Sequence, residues 1–125
     1  MADAKYVTVD IDGIKVQVPD GTYVWDACRK IGIEIPNFCY LHGLRAFGAC
    51  RMCVVEVEGE EHPPISCSRT CEPEMVVKTQ TEEVRRLRRT NLELIFSDHN
   101  AYCLPPCQNK CPSHIDIPGF LKANA

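Results

Sequence analysis

The sequence has little excess of charge of either sign. Lys and Arg number 14 against 17 Asp and Glu, a formal net charge of -3, so there is no overall electrostatic footprint for nucleic acid. No apolar run approaches the length of a membrane span, and the opening Met-Ala-Asp-Ala-Lys carries no apolar signal core, which points to the cytoplasm. Glycine-rich nucleotide loops, a nucleophile–base constellation, internal repeats and low-complexity segments are all missing. At 125 residues there is room for one compact domain with a modest core and a short appendage. A flavin or nicotinamide domain does not fit beside it, so no substrate chemistry is expected from this chain alone.

What the sequence has in abundance is cysteine, with nine residues. The odd count, the missing secretory signal and the clustering around one Cys-x-x-Cys argue against a disulfide framework, because cytosolic thiols stay reduced and free to bind metal. Zinc and iron–sulfur remain as the two metal chemistries.

Along the chain, Tyr6–Asp10 and Ile14–Val18 alternate in polarity around Asp12-Gly13, a strong hairpin signal. Asp20-Gly21-Thr22 offers helix-start chemistry, and Val24, Ala27, Cys28 and Ile31 recur at helical spacing before Gly32. Cys28 thus falls on an apolar face, where a small sulfur side chain packs well. Pro36 stops regular structure. Val54–Gly59 reads as a strand with its acidic residues facing out, His62-Pro63-Pro64 forbids pairing until Ile65, and Met75–Thr79 is a further short strand. Hairpin, helix and further strands make a small α+β sheet. From Thr81 the period becomes helical: Val84, Leu87, Asn91, Leu94 and Ile95 fall on one side, and Arg85, Arg86, Arg88 and Arg89 fall largely on the other, solvated side.

Four cysteines, Cys39, Cys50, Cys53 and Cys67, surround the loop that follows Pro36. A cluster of two irons and two sulfides needs four thiolates converging on one point, and the loop between Cys39 and Cys53 must fold over it. Gly48 lets the backbone approach closely, so that loop amides can donate to sulfur and raise the potential. Phe38, Tyr40 and Phe47 either shield such a cluster or anchor the loop in the core. A structural zinc also accepts four thiolates, but its usual sequence holds two Cys-x-x-Cys pairs and here there is one. A Rieske arrangement using His42 would need two histidines in place of two cysteines.

Ile35–Tyr40, Gly48–Gly59, Cys67-Ser68 and Met75–Val77 together resemble the N-terminal ferredoxin-like domain of the large iron–sulfur subunit of respiratory complex I. The same module occurs in NAD-linked [FeFe] hydrogenases and formate dehydrogenases. The resemblance spans roughly residues 5–98, and the spacing differs from the plant-type Cys-x4-Cys-x2-Cys pattern. It implies a β-grasp fold and a [2Fe–2S] cluster held by Cys39, Cys50, Cys53 and Cys67. Cys71 lies outside the family's ligand positions and is expected to be structural.

In that family the next helix leads to a His-x3-Cys-x2-Cys-x5-Cys set for a [4Fe–4S] cluster. Here His99-x3-Cys103 follows the pattern, whereas Cys103-x3-Cys107-x3-Cys111 departs from it. The stretch Cys107–Pro112 with Ile115-Asp116-Ile117-Pro118 is similar instead to the start of the iron–sulfur domain of the glutamate synthase small-subunit family, flavin-dependent NAD(P)H oxidoreductases. Three arrangements stay open: His99, Cys103, Cys107 and Cys111 form one [4Fe–4S] cage, another subunit completes the site, or these residues begin a longer chain. Zinc competes for the late cysteines, and His99 has an alternative role as a helix C-terminal residue that favours the dipole.

The expected architecture is α+β: a β-grasp [2Fe–2S] ferredoxin-like domain over residues 1–79, a connecting helix over 80–98, and a cysteine-rich tail over 99–125. The expected function is to relay single electrons between a flavin/NAD(P)H-oxidising partner subunit and another redox centre, such as a hydrogenase, a formate dehydrogenase or ferredoxin. The alternatives are the N-terminal piece of a larger flavin-dependent NAD(P)H oxidoreductase and a zinc-stabilised binding module.

Overall fold

A computed structural model of the chain describes residues 5–99 and 104–124, with Cys107 described by its backbone alone. Strands β1 (Tyr6–Ile11) and β2 (Ile14–Pro19) form the expected antiparallel hairpin, with Val9 opposite Val16 and Ile11 opposite Ile14. The two-residue turn places both Asp12 (φ 52°) and Gly13 (φ 85°) in the left-handed region, as its twist requires. Asp12 has a second task. Its carboxylate accepts hydrogen bonds from the amide (2.8 Å) and the hydroxyl of Thr79, a fully buried residue 67 positions away.

Helix α1 (Val24–Lys30) follows the hairpin and turns Val24, Ala27 and Cys28 into the core that Val7, Val9, Val16 and Val18 line from the sheet. Its first turn has no side-chain cap; Thr22 uses its hydroxyl on the Pro19 carbonyl instead. The orphan amides of Val24 and Trp25 donate to the carbonyls of Arg69 and Ser66, so a distant segment of backbone does the capping.

Strands β3 (Glu56–Val57) and β4 (Val76–Lys78) complete a four-stranded sheet of order β2-β1-β4-β3, in which β1 and β4 are parallel and the other pairs antiparallel. β3 is much shorter than the alternation of residues 54–59 suggests. Pro63 and Pro64 have no amide to donate, so beyond the Val54–Ile65 bridge the partner contributes only a carbonyl, from Pro64 to the Val55 amide.

Helix α2 (Glu82–Ser97) begins where its sequence signals place it, with the Thr81 hydroxyl accepting from the Val84 amide at 3.2 Å. Its packed stripe differs from the expected one. Val84 and Arg88 are buried and Asn91 is half-buried, whereas Leu94 and Ile95 are exposed. Short helices α3 (Pro106–Asn109) and α4 (Ile117–Ala123) lie in the tail, the second capped by Asp116 Oδ1 on the Gly119 amide. The mixed sheet with its helices is the α+β, ferredoxin-like architecture expected from the sequence. Among the described residues, no helix is long and apolar enough to cross a membrane.

Candidate metal centre

Residues 36–53 run from the end of helix α1 toward β3 without regular structure, so side chains must hold this loop in place. Tyr40 is the chief anchor. Its ring packs edge-on against Trp25 (5.2 Å) and Tyr23 (6.1 Å), its hydroxyl donates to Asp26 Oδ2 at 2.6 Å, and its amide donates to Asn37 Oδ1. The Trp25 indole donates to the Ile35 carbonyl at 3.0 Å, fixing the entry to the loop. His42 Nδ1 is held by Asp26 Oδ1 at 2.7 Å, so this histidine has a structural partner of its own. Of the three aromatic residues singled out in the loop, only Tyr40 is buried; Phe38 and Phe47 are 65% and 80% exposed.

The far end of the loop turns through two left-handed residues, Gly48 (φ 69°) and Arg51 (φ 57°). A Cβ at position 48 would come within 2.9 Å of Ile65 Cδ1, so glycine serves there both for conformation and for space. Helix α2 clamps the turn on either side of Cys53. Asn91 Nδ2 donates to the Arg51 carbonyl and Arg88 Nη2 to the Val54 carbonyl, each at 2.8 Å. Sequence periodicity places Asn91 correctly and misreads Arg88. It groups Asn91 with Val84, on the side that packs, but sets Arg88 on the solvated face, whereas Val84, Arg88 and Asn91 share one stripe at i, i+4, i+7.

This scaffold brings Cys39, Cys50, Cys53 and Cys67 together. Cys39 and Cys50 are half-buried at the rim, and Cys53 and Cys67 are 1% and 0% exposed beneath them. The Cys39 thiol is held below its ordinary range, first by the backbone amide of Cys50, with the Cys50 side chain and the amides of Ala49 and Gly48 adding to the effect. Cys50 Sγ in turn accepts from the Phe38 amide at 3.4 Å. Burial pushes the Cys67 thiol up to about 12, followed by its contact with Cys53 and by the charges of Cys53, Cys39 and Cys50. Each of the four thiols therefore acts on another of the set.

Cys28 and Cys71 stand apart. Their thiols are raised by burial, to about 12 and about 11, and each is at most 2% exposed. Among the described residues, no group of three or more His, Cys, Asp or Glu side chains is gathered tightly enough to hold a single ion. The expected convergence of four thiolates on one point is thus not met, and it is stricter than the chemistry requires, because ligands shared between two irons need not meet at one point. Four thiols beside a fan of loop amides, two of them sealed from water, are a donor set that suits a [2Fe–2S] cluster.

Of the second predicted set, His99 is exposed just beyond α2, its ring edge-on to Phe96 at 6.4 Å. The Cys111 thiol is lowered by the Ser113 amide first, then by the Ser113 side chain and the amides of His114 and Ile115. Cys103 lies outside the described residues, as does the side chain of Cys107.

Residues 4–82 match the family described as the 2Fe-2S iron-sulfur cluster binding domain. An NADH-quinone oxidoreductase subunit from Streptomyces coelicolor is 44% identical over 110 residues, 85% of this chain and 13% of that protein. The NADP-reducing hydrogenase subunit HndD of Solidesulfovibrio fructosivorans is 43% identical over 104 residues, 78% of this chain and 18% of that protein. A crystal structure of NAD+-reducing [NiFe]-hydrogenase in the H2-reduced state matches with a TM-score of 0.70 at 32% identity, covering 78% of this chain and 41% of that one. The chain thus spans less than a fifth of the two sequence relatives it matches. The resemblance read from the cysteine spacing, the loop glycine and the flanking strands holds, and the chain belongs to the family of 2Fe-2S iron-sulfur cluster binding domains.

Proposed function

We propose that the chain is an electron-transfer module in which Cys39, Cys50, Cys53 and Cys67 hold the [2Fe–2S] cluster of a domain over residues 1–79. The observation that carries this reading is that these four thiols act on one another, whereas none of them acts on Cys28 or Cys71. The bound cluster supplies one-electron redox chemistry. The protein's own residues hold and screen it. Amides of Gly48, Ala49 and Cys50 donate toward the Cys39 sulfur, and the buried pair Cys53 and Cys67 closes the inner side. Cys39 and Cys50 are half-exposed, and the same loop carries the exposed apolar side chains of Phe38, Leu41, Leu44 and Phe47, on which a redox partner would dock.

The partners proposed are a flavin/NAD(P)H-oxidising subunit on one side and a hydrogenase, formate dehydrogenase or ferredoxin on the other, acting in the cytoplasm. Helix 80–98 then leads to a tail, 99–125, in which His99, Cys103, Cys107 and Cys111 hold a [4Fe–4S] cluster. The amides gathered around the Cys111 sulfur favour a thiolate ligand there. A second reading, that these residues work as the N-terminal part of a larger flavin-dependent NAD(P)H oxidoreductase, is favoured by the much greater length of the matched relatives.

Anaerobic purification followed by visible absorption, iron and sulfide analysis, and EPR of the reduced protein tests the main proposal. Two irons and two sulfides per [2Fe–2S] domain, with an EPR signal on reduction, are the expected outcome. A colourless protein with stoichiometric zinc and no iron would sink it and leave a zinc-stabilised binding module.

A further inference from the structure

Arg88 is the one buried cation among the described residues, 9% exposed in the packed stripe of α2. One arm of its fork, Nη2, donates to the Val54 carbonyl at 2.8 Å, and Nε is buried with no hydrogen-bond partner. Among the described residues no carboxylate forms an ion pair with it. A guanidinium placed in this way is costly unless an anion compensates it. Burial disfavours its charge, and the ionisable groups that offset this are Cys53 first, then Cys28 and Asp12. Cys28 keeps its proton through burial, whereas the Asp12 carboxylate accepts only from neutral groups of Thr79 and so remains one counter-charge. Cys53 is the residue before the carbonyl that Arg88 grips, and as a cluster ligand it would add a second negative charge to that of Asp12.

We propose that Arg88 is a positioning residue for the metal centre, a fixed buried positive charge behind Cys53 that raises the reduction potential of the cluster held there. The inference rests on the reading of Cys53 as a ligand. Two ferric ions, two sulfides and four thiolates carry a net charge of about -2, and one electron from a reductant, with no proton required, takes it to about -3. A nearby cation in a low-dielectric setting stabilises the more negative state more strongly, so it shifts the couple toward reduction. The same side chain ties α2 to the loop, which makes the helix leading to the tail part of the cluster's electrostatic surroundings.

The test is an EPR-monitored redox titration, with dithionite as reductant, of the full cluster-loaded chain carrying Arg88→Gln or Arg88→Lys. Glutamine keeps a donor for the Val54 carbonyl and loses the charge; lysine keeps the charge and loses the fork. Arg88→Gln is expected to lower the ratio of reduced to oxidised cluster at a set potential about tenfold, ~59 mV for a one-electron couple. Arg88→Lys should stay close to the parent protein. Equal potentials in all three proteins, or equal drops in both variants, would overturn a role for the charge. If Arg88→Gln does not retain the cluster, retention by Arg88→Lys supports the need for a cation, and loss in both overturns it in favour of a purely structural tie. A parent protein that binds no cluster would instead refute the ligand assignment itself.

Discussion

The Tyr40 hydroxyl donates to Asp26 Oδ2 at 2.6 Å and so fastens the residue after Cys39 to helix α1. The same carboxylate holds His42, which places two points of the loop on one side chain. Burial, followed by Asp26, keeps the Tyr40 proton above its usual range. Tyr40→Phe should retain the ring contacts with Trp25 and Tyr23 but cost about 1 kcal/mol through the lost hydrogen bond. Urea unfolding of the cluster-free protein measures this, and an unchanged midpoint would show that Asp26 re-pairs without loss.

Cysteine replacements separate the two groups of thiols. Cys50→Ser should abolish or severely perturb the visible absorption and EPR signal of the [2Fe–2S] cluster. Cys28→Ala and Cys71→Ala should leave both intact, because these thiols are buried apart from the quartet. A requirement for Cys71 in place of Cys67 would overturn the ligand set.

Asp12 joins the first hairpin to the last strand, and its replacement is expected to act on the whole sheet. Asp12→Ala strips the buried Thr79 amide and hydroxyl of their acceptor and puts a side chain without local hydrogen bonding at φ 52°. A loss of about 2–4 kcal/mol should follow. Asp12→Asn tolerates the conformation and keeps one acceptor, so its loss should be smaller. Thermal unfolding compared across the two variants checks the order.

Stability of the cluster-free protein should fall as pH rises above the ordinary thiol range. Folding raises the Cys28 and Cys71 thiols to about 12 and about 11 from a reference of 9.0. Between those values the unfolded chain releases protons that the folded chain keeps, so the slope of stability against pH is negative there. The stabilisation is fully present below pH 9.0 and is lost as pH rises toward about 11 to 12. A Cys28→Ala/Cys71→Ala double variant should show a shallower decline between those limits in denaturant titrations at fixed pH. Equal slopes would argue against the buried thiols as the cause.

In the tail, His99→Ala should remove or alter a second, fast-relaxing EPR signal if His99 is a ligand beside Cys103, Cys107 and Cys111. An unchanged spectrum would leave His99 as an exposed residue at the end of α2.

Much of this is legible in the sequence because it depends on near neighbours. Asp12-Gly13 supports only a narrow range of turns, Thr81 and the two glutamates after it mark a helix start, and Cys50-x-x-Cys53 behind Gly48 marks a tight loop of thiols. Those local rules are enough for the hairpin, both main helices and the candidate ligands. Local rules fail where a partner far along the chain decides the outcome. Periodicity puts Arg88 in water, yet the Val54 carbonyl 34 residues away draws it into the core. Asp20-Gly21-Thr22 reads as a cap, yet carbonyls of residues 66 and 69 do the capping. Alternation lengthens β3, yet the prolines beside it leave few amides to pair. The sequence alone determined which residue types and spacings a cluster of this kind would need. Only the tertiary structure decided which thiols share a neighbourhood and which side chains of α2 grip the loop, because both depend on long-range packing that no local period encodes.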